Sequence, residues 1–549
     1  MTYMIISSLL ATIFYIPYGS FLLNEEKINF KNFSAQILYA LIVLSFIGLV
    51  VNFVFPLSIK INSVLIIVSL YLFIKNWKRY FNKKFFLFSF LISLILLLLM
   101  LNSNTFRPDS GLYHFPYIKI LNDEKIILGL SNLHFRFAHI SIIQYVSAIS
   151  NNLLFLTNGM LFPTAVIFAA VVINFSSELN NYIKNRIFNL RFFYLFFTLI
   201  FIFYKMNRYS EYGNDTPSHL LFFFLVSELL NFRKYRNNIK QICNLFIISL
   251  FIFLNKITLG IACILPFCLI NKRNFFDLFK IKRTYFGILF LLLWFLKNIL
   301  VSGCLIYPIS NTCFNNLSWT DIEEVKEISN QNEAWSKNFP DQKEISSYEK
   351  YNSNFNWVKF WVKNYSGFLA KIFLPYIIFI TVFFVCSNKV IMSKKLDNSP
   401  KIIFILTILF FSCIIWFLKL PLYRYGASLL ISFITLIFAF IFYKYRSPFK
   451  RPYKTYFLVI IIGFIVFTTK NSIRILNNNS DYNNYPWPKY YSHDNKNILP
   501  EIKSININDK IIYRAKYGIC MYSYSPCTGY IKDHLKIKKK SNYLIIGIN

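Results

Sequence analysis

Apolar runs close to 20 residues long recur along most of this chain, and a bilayer-spanning helix needs roughly that many apolar residues. They fall near 3–23, 34–57, 61–75, 85–101, 151–175, 187–204, 217–231, 241–254, 257–270, 284–301, 366–387, 402–418, 425–443 and 455–470. The pattern predicts an all-α polytopic membrane protein of about 13 to 14 transmembrane helices. The short pair of runs around Asn255 and Lys256 is the least span-like. With 56% hydrophobic and 15% charged residues, the composition excludes an ordinary soluble enzyme.

The net charge of +35 invites a nucleic-acid partner, but the position of the charge argues against one. Lys75–Lys84, Arg233–Lys240, Lys272–Arg283, Lys389–Lys401 and Lys444–Lys454 fall in alternate loops, and lysine and arginine in short loops stay on the cytoplasmic side. One orientation satisfies all five clusters. It is that of a multi-pass protein of the plasma (inner) membrane, with its N-terminus outside. The loops 102–150, 205–216, 302–365 and 419–424 then face outward, as does the tail from 471. Met1–Ile5 lacks lysine and arginine, so the first run reads as an outside-start helix rather than a cleaved signal.

Three regions follow: N-terminal helices over 1–84, a membrane domain over 85–470, and a small extracytoplasmic α/β or β module over 471–549. The 302–365 loop holds eight of the 24 acids and reads as a solvated, partly helical cap. Cys304, Cys313, Cys520 and Cys527 all fall outside. Their spacing suits two local disulfides, 304–313 and 520–527, or four small buried thiols.

Few acids remain in the other outer loops: Asp109, Asp123, Glu124, Glu211 and Asp215. Asp109 lies just beyond a span in RPDSGLYHFPYIK, with Tyr113 and His114 able to line a polar pocket. A carboxylate there can act as general base on a hydroxyl, or it can cap a helix starting near Leu112. Asn132, His134, Arg136 and His139 gather polar donors nearby, and the planar fork of Arg136 can clamp a phosphate or snorkel to headgroups. Phe137–Ile149 mixes apolar and polar positions and reads as an amphipathic helix lying in the interface. Asp215 reads as an N-cap ahead of Pro217, whereas Glu211 is freer; both can orient an acceptor or bind a divalent cation. Lys256, Lys419 and Arg424 can neutralise a lipid phosphate, with headgroup anchoring as the plain alternative. The spacing of His114, His134 and His139 matches no standard metal motif, so the metal is left unknown.

From Phe85 onward the pattern resembles the GT-C class of integral-membrane glycosyltransferases, in which a long first outer loop carries an aspartate soon after a span, followed by helices parallel to the membrane. The GLSNLHFRF stretch resembles still more closely a group of uncharacterised bacterial multi-span proteins placed in that class. EYGNDTP, SGCLIYP with NTCF, and CMYSYSPCTGY extend the likeness to about residue 530. Three extra spans ahead of Phe85, and one aspartate where many members show a pair of acids, depart from it.

The resemblance implies a sugar donor linked to polyprenyl phosphate, its phosphate against Arg136, Lys256 or Arg424. Asp109 would deprotonate the acceptor hydroxyl, and the sugar would transfer in one inverting step. The acceptor, a glycan, lipid or protein, stays open. No cytosolic cofactor is implied, and a divalent cation, magnesium or manganese, is left open. A lipid-linked saccharide polymerase or ligase, relying on outer-loop arginines, is the nearest rival. A flippase or transporter should carry mid-membrane ionisable residues, of which only Glu228 and Lys256 stand out. Membrane lipids are the expected surroundings.

Overall fold

The helix Leu190–Lys205 carries aromatic or aliphatic side chains on every face and is buried along nearly its whole length. In the computed structural model it packs against Phe162–Lys184, Tyr423–Tyr445 and Pro452–Leu476, with Phe192, Phe196 and Phe197 meeting the rings of Tyr456, Phe383 and Phe442. A helix apolar all round belongs in the middle of a bundle. The structure describes residues 2–23, 29–101, 109–139, 141–206, 213, 215–235, 238–339, 347–389, 399–447, 452–477, 501–508, 510–516, 518–532 and 534–547.

Eight helices among the described residues are long and apolar enough to cross a membrane. They are Phe30–Val54, Lys83–Met100, Leu156–Lys184, Lys282–Ser302, Trp357–Cys386, Pro400–Lys419, Tyr423–Tyr445 and Tyr453–Ile473. The outer ones expose Leu292, Ile378, Val385, Ile403, Ile415 and Leu458, a belt that a soluble protein would not leave bare.

Fewer helices reach spanning length than the hydropathy runs predict. Ile59–Lys75, Leu190–Lys205, Asp215–Leu229 and Ile239–Asn255 are helical but have 17, 16, 15 and 17 residues. That gives roughly 22–26 Å of rise. The last three lie largely inside the bundle, where protein rather than lipid surrounds most of their length and no match to the bilayer is needed. The 257–270 run is not an α-helix; it returns as two 3-10 stretches, Ile257–Cys263 and Leu265–Leu269.

Asparagine starts three helices at one end of the bundle. Asn29, Asn189 and Asn238 each accept a hydrogen bond from a backbone N–H in the first turn. At that end Arg191, 2% exposed, lies between Glu178 and Glu228, which in turn meet Lys31 and Lys234. Glu228 is thus an internal clamp between helices.

The opposite end gathers the segments expected outside. Ile143–Ser150 is buried at every residue, against Phe30–Val54 and Phe115–Asp123, and so does not lie in the interface as an amphipathic helix. Its polar positions find internal partners: Ser150 meets Tyr15 at 2.6 Å and Gln144 meets His114 at 3.1 Å. The acid-rich segment forms the helices Ile322–Ser336 and Tyr348–Ser353, the first capped by Asp321.

The C-terminal module starts later than expected, because the last helix runs to Leu476. Its described residues are β rather than α/β. Ile502–Ile507 pairs antiparallel with Lys510–Ala515, which pairs in parallel with Cys527–Thr528; Lys536–Lys540 and Tyr543–Gly547 form a second antiparallel pair. Disulfides join Cys520 to Cys527 and Cys304 to Cys313.

The module is stitched to the first loop. Leu128 bridges Ile545, Met521 N–H donates to the Gly111 carbonyl, and Thr528 Oγ1 donates to the Leu133 carbonyl. Gly129 has φ +68°, and a Cβ there would collide with the Ile546 carbonyl oxygen, so both its conformation and its closeness to this strand require glycine.

Candidate functional site

Asp109 sits at the start of a π-helical turn, Ser110–His114, that runs into the helix Phe115–Asp123. Its side chain caps nothing. Instead Oδ1 accepts from Arg136 Nη1 at 2.8 Å and Oδ2 from Arg424 Nη1 at 3.1 Å. The capping alternative is therefore set aside. All three side chains remain a third to a half exposed, so the cluster is open to a ligand.

Local structure places both guanidinium groups. His134 Nδ1 accepts from Arg136 N at 3.1 Å and so caps the 3-10 turn Phe135–Ala138 that carries Arg136. The Arg136 guanidinium lies over the rings of Tyr113 and Phe135, at 5.1 and 5.6 Å. Arg424 lies in the first turn of Tyr423–Tyr445, over the Tyr425 ring at 5.1 Å and donating to its hydroxyl at 3.1 Å.

A second ion pair adjoins the first. Lys256, extended at the end of Ile239–Asn255, reaches Asp215 at the start of Asp215–Leu229. Its Nζ also donates to the Arg424 carbonyl at 2.7 Å, and it lies 4.9 Å from the centre of the Tyr425 ring. His219 Nε2 meets the same carbonyl at 2.9 Å, while Nδ1 faces Ser428 Oγ at 2.8 Å. A carbonyl only accepts, so Nε2 carries the proton and Nδ1 receives Ser428.

Burial works against charge on Asp215, but Lys256 and Arg424 outweigh it and hold the carboxyl below its usual range. Burial lowers His114 to about 4. It raises Tyr113 well above its ordinary value. Arg136, Arg424 and Lys256 against Asp109 and Asp215 leave one net positive charge among these five described residues, which suits an anion better than a further cation. Among the described residues no three His, Cys, Asp or Glu side chains converge as metal ligands.

The structure thus brings Asp109, Tyr113, His114, Arg136, Asp215, Lys256 and Arg424 into one neighbourhood. Asn132 lies apart in role: its Nδ2 donates to the carbonyls of Trp319 and Ile546, at 3.0 and 2.9 Å, and it ties loop to module. His134 serves the backbone of Arg136. Glu211 lies outside the described residues. Tyr425, His219 and Ser428 are additional members; Tyr425 stands beside Arg424 in KLPLYRYG, whereas His219 is hidden in an apolar run.

Fold and site together define a multi-pass helical membrane protein with a charged cluster at one end of its bundle. A family model described as a domain of unknown function, DUF8201, matches residues 1–431, and the chain belongs to that family. No curated protein and no solved structure matches it. The match begins at residue 1, so the helices before Phe85 lie in the same family unit as Asp109 and Arg424.

Proposed function

We propose that this protein is a GT-C-like glycosyltransferase of the plasma membrane. It moves a sugar from a polyprenyl-phosphate donor to an acceptor hydroxyl on the extracytoplasmic side, in cell-surface polysaccharide or glycoconjugate synthesis. The observation that carries this reading is one carboxylate, Asp109, gripped on both oxygens by arginines from separate elements, in a cluster with net positive charge.

A donor phosphate entering the cluster competes with Asp109 for Arg136 and Arg424. As an arginine turns to the phosphate, a carboxylate oxygen becomes free to take the acceptor proton. The acceptor oxygen then bonds to the anomeric carbon and the sugar–phosphate bond breaks. Polyprenyl phosphate leaves with the electron pair, its charge met by the guanidinium groups. One displacement inverts the sugar carbon. The acceptor is a glycan, lipid or protein hydroxyl.

The test is sugar transfer from a polyprenyl-phosphate donor in membranes holding equal amounts of wild-type protein or Asp109→Asn. Loss of product with retained folding supports the reading; equal product sinks it. The two arginines also favour a second reading, a lipid-linked saccharide polymerase or ligase. That reading is supported if Asp109→Asn keeps transfer while Arg136→Gln and Arg424→Gln abolish it. A flippase is less favoured, because Glu228 and Lys256 are both held in ion pairs at the bundle ends.

A further inference from the structure

The hairpin Lys536–Lys540 and Tyr543–Gly547 has two unlike faces. Ile537 lies opposite Ile546, and both are buried. On the other face Lys540 lies opposite Tyr543, Lys538 opposite Ile545 and Lys536 opposite Gly547. Residues directly opposite share a face and alternate residues repeat it, so Lys536, Lys538 and Lys540 project on the side of Tyr543.

That side has a known direction. Tyr543 Oη donates to the carbonyl of Phe53 at 2.6 Å, in the last turn of Phe30–Val54, a helix long and apolar enough to cross a membrane. Val54 and Phe55 follow with more than half their surface exposed. The lysine face thus includes a residue that reaches the end of this helix, at the level where a bilayer has its phosphates.

All three lysines are exposed and none has a carboxylate partner among the described residues. The nearby acid, Glu124, interacts with Lys539 and Lys510 instead. Three cations on one strand face extend over about 13 Å.

We propose that Lys536, Lys538 and Lys540 form a strip that docks the C-terminal module onto anionic phospholipid headgroups of the bilayer its own helices cross. Lysines on an edge strand also deter edge-to-edge pairing, and this is the competing account. The proposal rests on the membrane-crossing helices and is independent of the glycosyltransferase reading.

The test uses the full chain in nanodiscs of phosphatidylcholine, with or without added phosphatidylglycerol. A membrane-impermeant acylating reagent is read lysine by lysine, with exposed Lys326 as internal reference. In the anionic bilayer, acylation of Lys536, Lys538 and Lys540 is expected to fall about fivefold and to recover in high salt. The variant K536S/K538S/K540S is expected to melt like wild type in phosphatidylcholine and to lose the rise in Tm that phosphatidylglycerol gives wild type. Equal acylation in both bilayers overturns the proposal and leaves the lysines as edge guards. Protection by soluble polyphosphate, with none from phosphatidylglycerol, overturns it in favour of a soluble polyanion. Both acylation results come from wild-type protein and stand even if the variant fails to fold.

Discussion

Asp109 and Arg424 lie 315 positions apart in the chain and meet in a hydrogen bond of 3.1 Å. Arg136, only 27 positions from Asp109, takes the other carboxylate oxygen. The first loop thus brings its own arginine, and the helix Tyr423–Tyr445 brings the second. Substitution can separate the chemical role proposed for this cluster from a structural one.

Asp109→Asn keeps the shape of the side chain but removes its charge and basicity. If the protein is the transferase proposed above, sugar transfer is expected to fall by a factor of about a hundred or more. The cluster is partly solvated, so a double-mutant cycle of Asp109→Asn with Arg424→Gln on thermal stability should give a coupling of about 1 kcal/mol or less. A large loss of stability from Asp109→Asn alone would mean the residue is chiefly a strut.

Arg191 behaves differently because it is buried between Glu178 and Glu228. Arg191→Met leaves two carboxylates in the interior short of a cation, at a cost of about 3–5 kcal/mol. Unfolding in detergent should occur at a clearly lower temperature than in wild type, with transfer by the surviving folded fraction unchanged. A Tm matching wild type would show that the remaining lysines suffice.

Acid should loosen the first loop. Burial, helped by the neighbouring Arg136, lowers His134 from 6.5 to about 4, and burial does the same to His139. The unfolded chain takes up these protons near pH 6.5 and the folded chain only near 4. Stability is therefore whole above about 6.5 and declines as pH falls from there toward 4. Melting curves across that range should show the decline, and His134→Asn, which retains an acceptor for Arg136 N–H, should make it shallower by about one proton. An unchanged slope would rule out His134 as a contributor.

Asn132→Ala removes two hydrogen bonds, one to the part-buried carbonyl of Trp319 and one to the buried carbonyl of Ile546, costing about 1–3 kcal/mol. The effect should be local. Hydrogen exchange is expected to quicken in Tyr543–Gly547 and around Leu128, with little change in the Phe162–Lys184 helix. Uniform quickening throughout would place Asn132 in the global core instead.

Much of the site was legible because acids are scarce in the outer loops: Asp109 and Asp215 stood out, and the cations nearest helix ends were their natural partners. Who pairs with whom was not legible, since Arg424 reaches Asp109 and Lys256 reaches Asp215 only after distant helices pack. Asp109 in DSG looks like a cap until Arg136 and Arg424 claim both its oxygens. His219 was invisible in TPSHLLFFF, as its role depends on Arg424 and Ser428 of another helix. Hydropathy overstated the spanning helices because apolar length alone does not separate a lipid-facing helix from one enclosed like Leu190–Lys205. The polar residues of Ile143–Ser150 misled in the same manner: their pattern suggested a water-facing stripe, but Tyr15 and His114 receive Ser150 and Gln144 inside the protein.

The strand Tyr543–Gly547 closes against Leu128, more than 400 positions upstream. A ribosome therefore translates every described helix before it makes the partner on which the first loop leans. During synthesis the first loop around Leu128 stands uncovered, and it is covered only when the final hairpin folds back onto it. Any cleavage between Leu476 and Lys536 that let the hairpin drift away would return the loop to that unfinished state, with all the helices still in place.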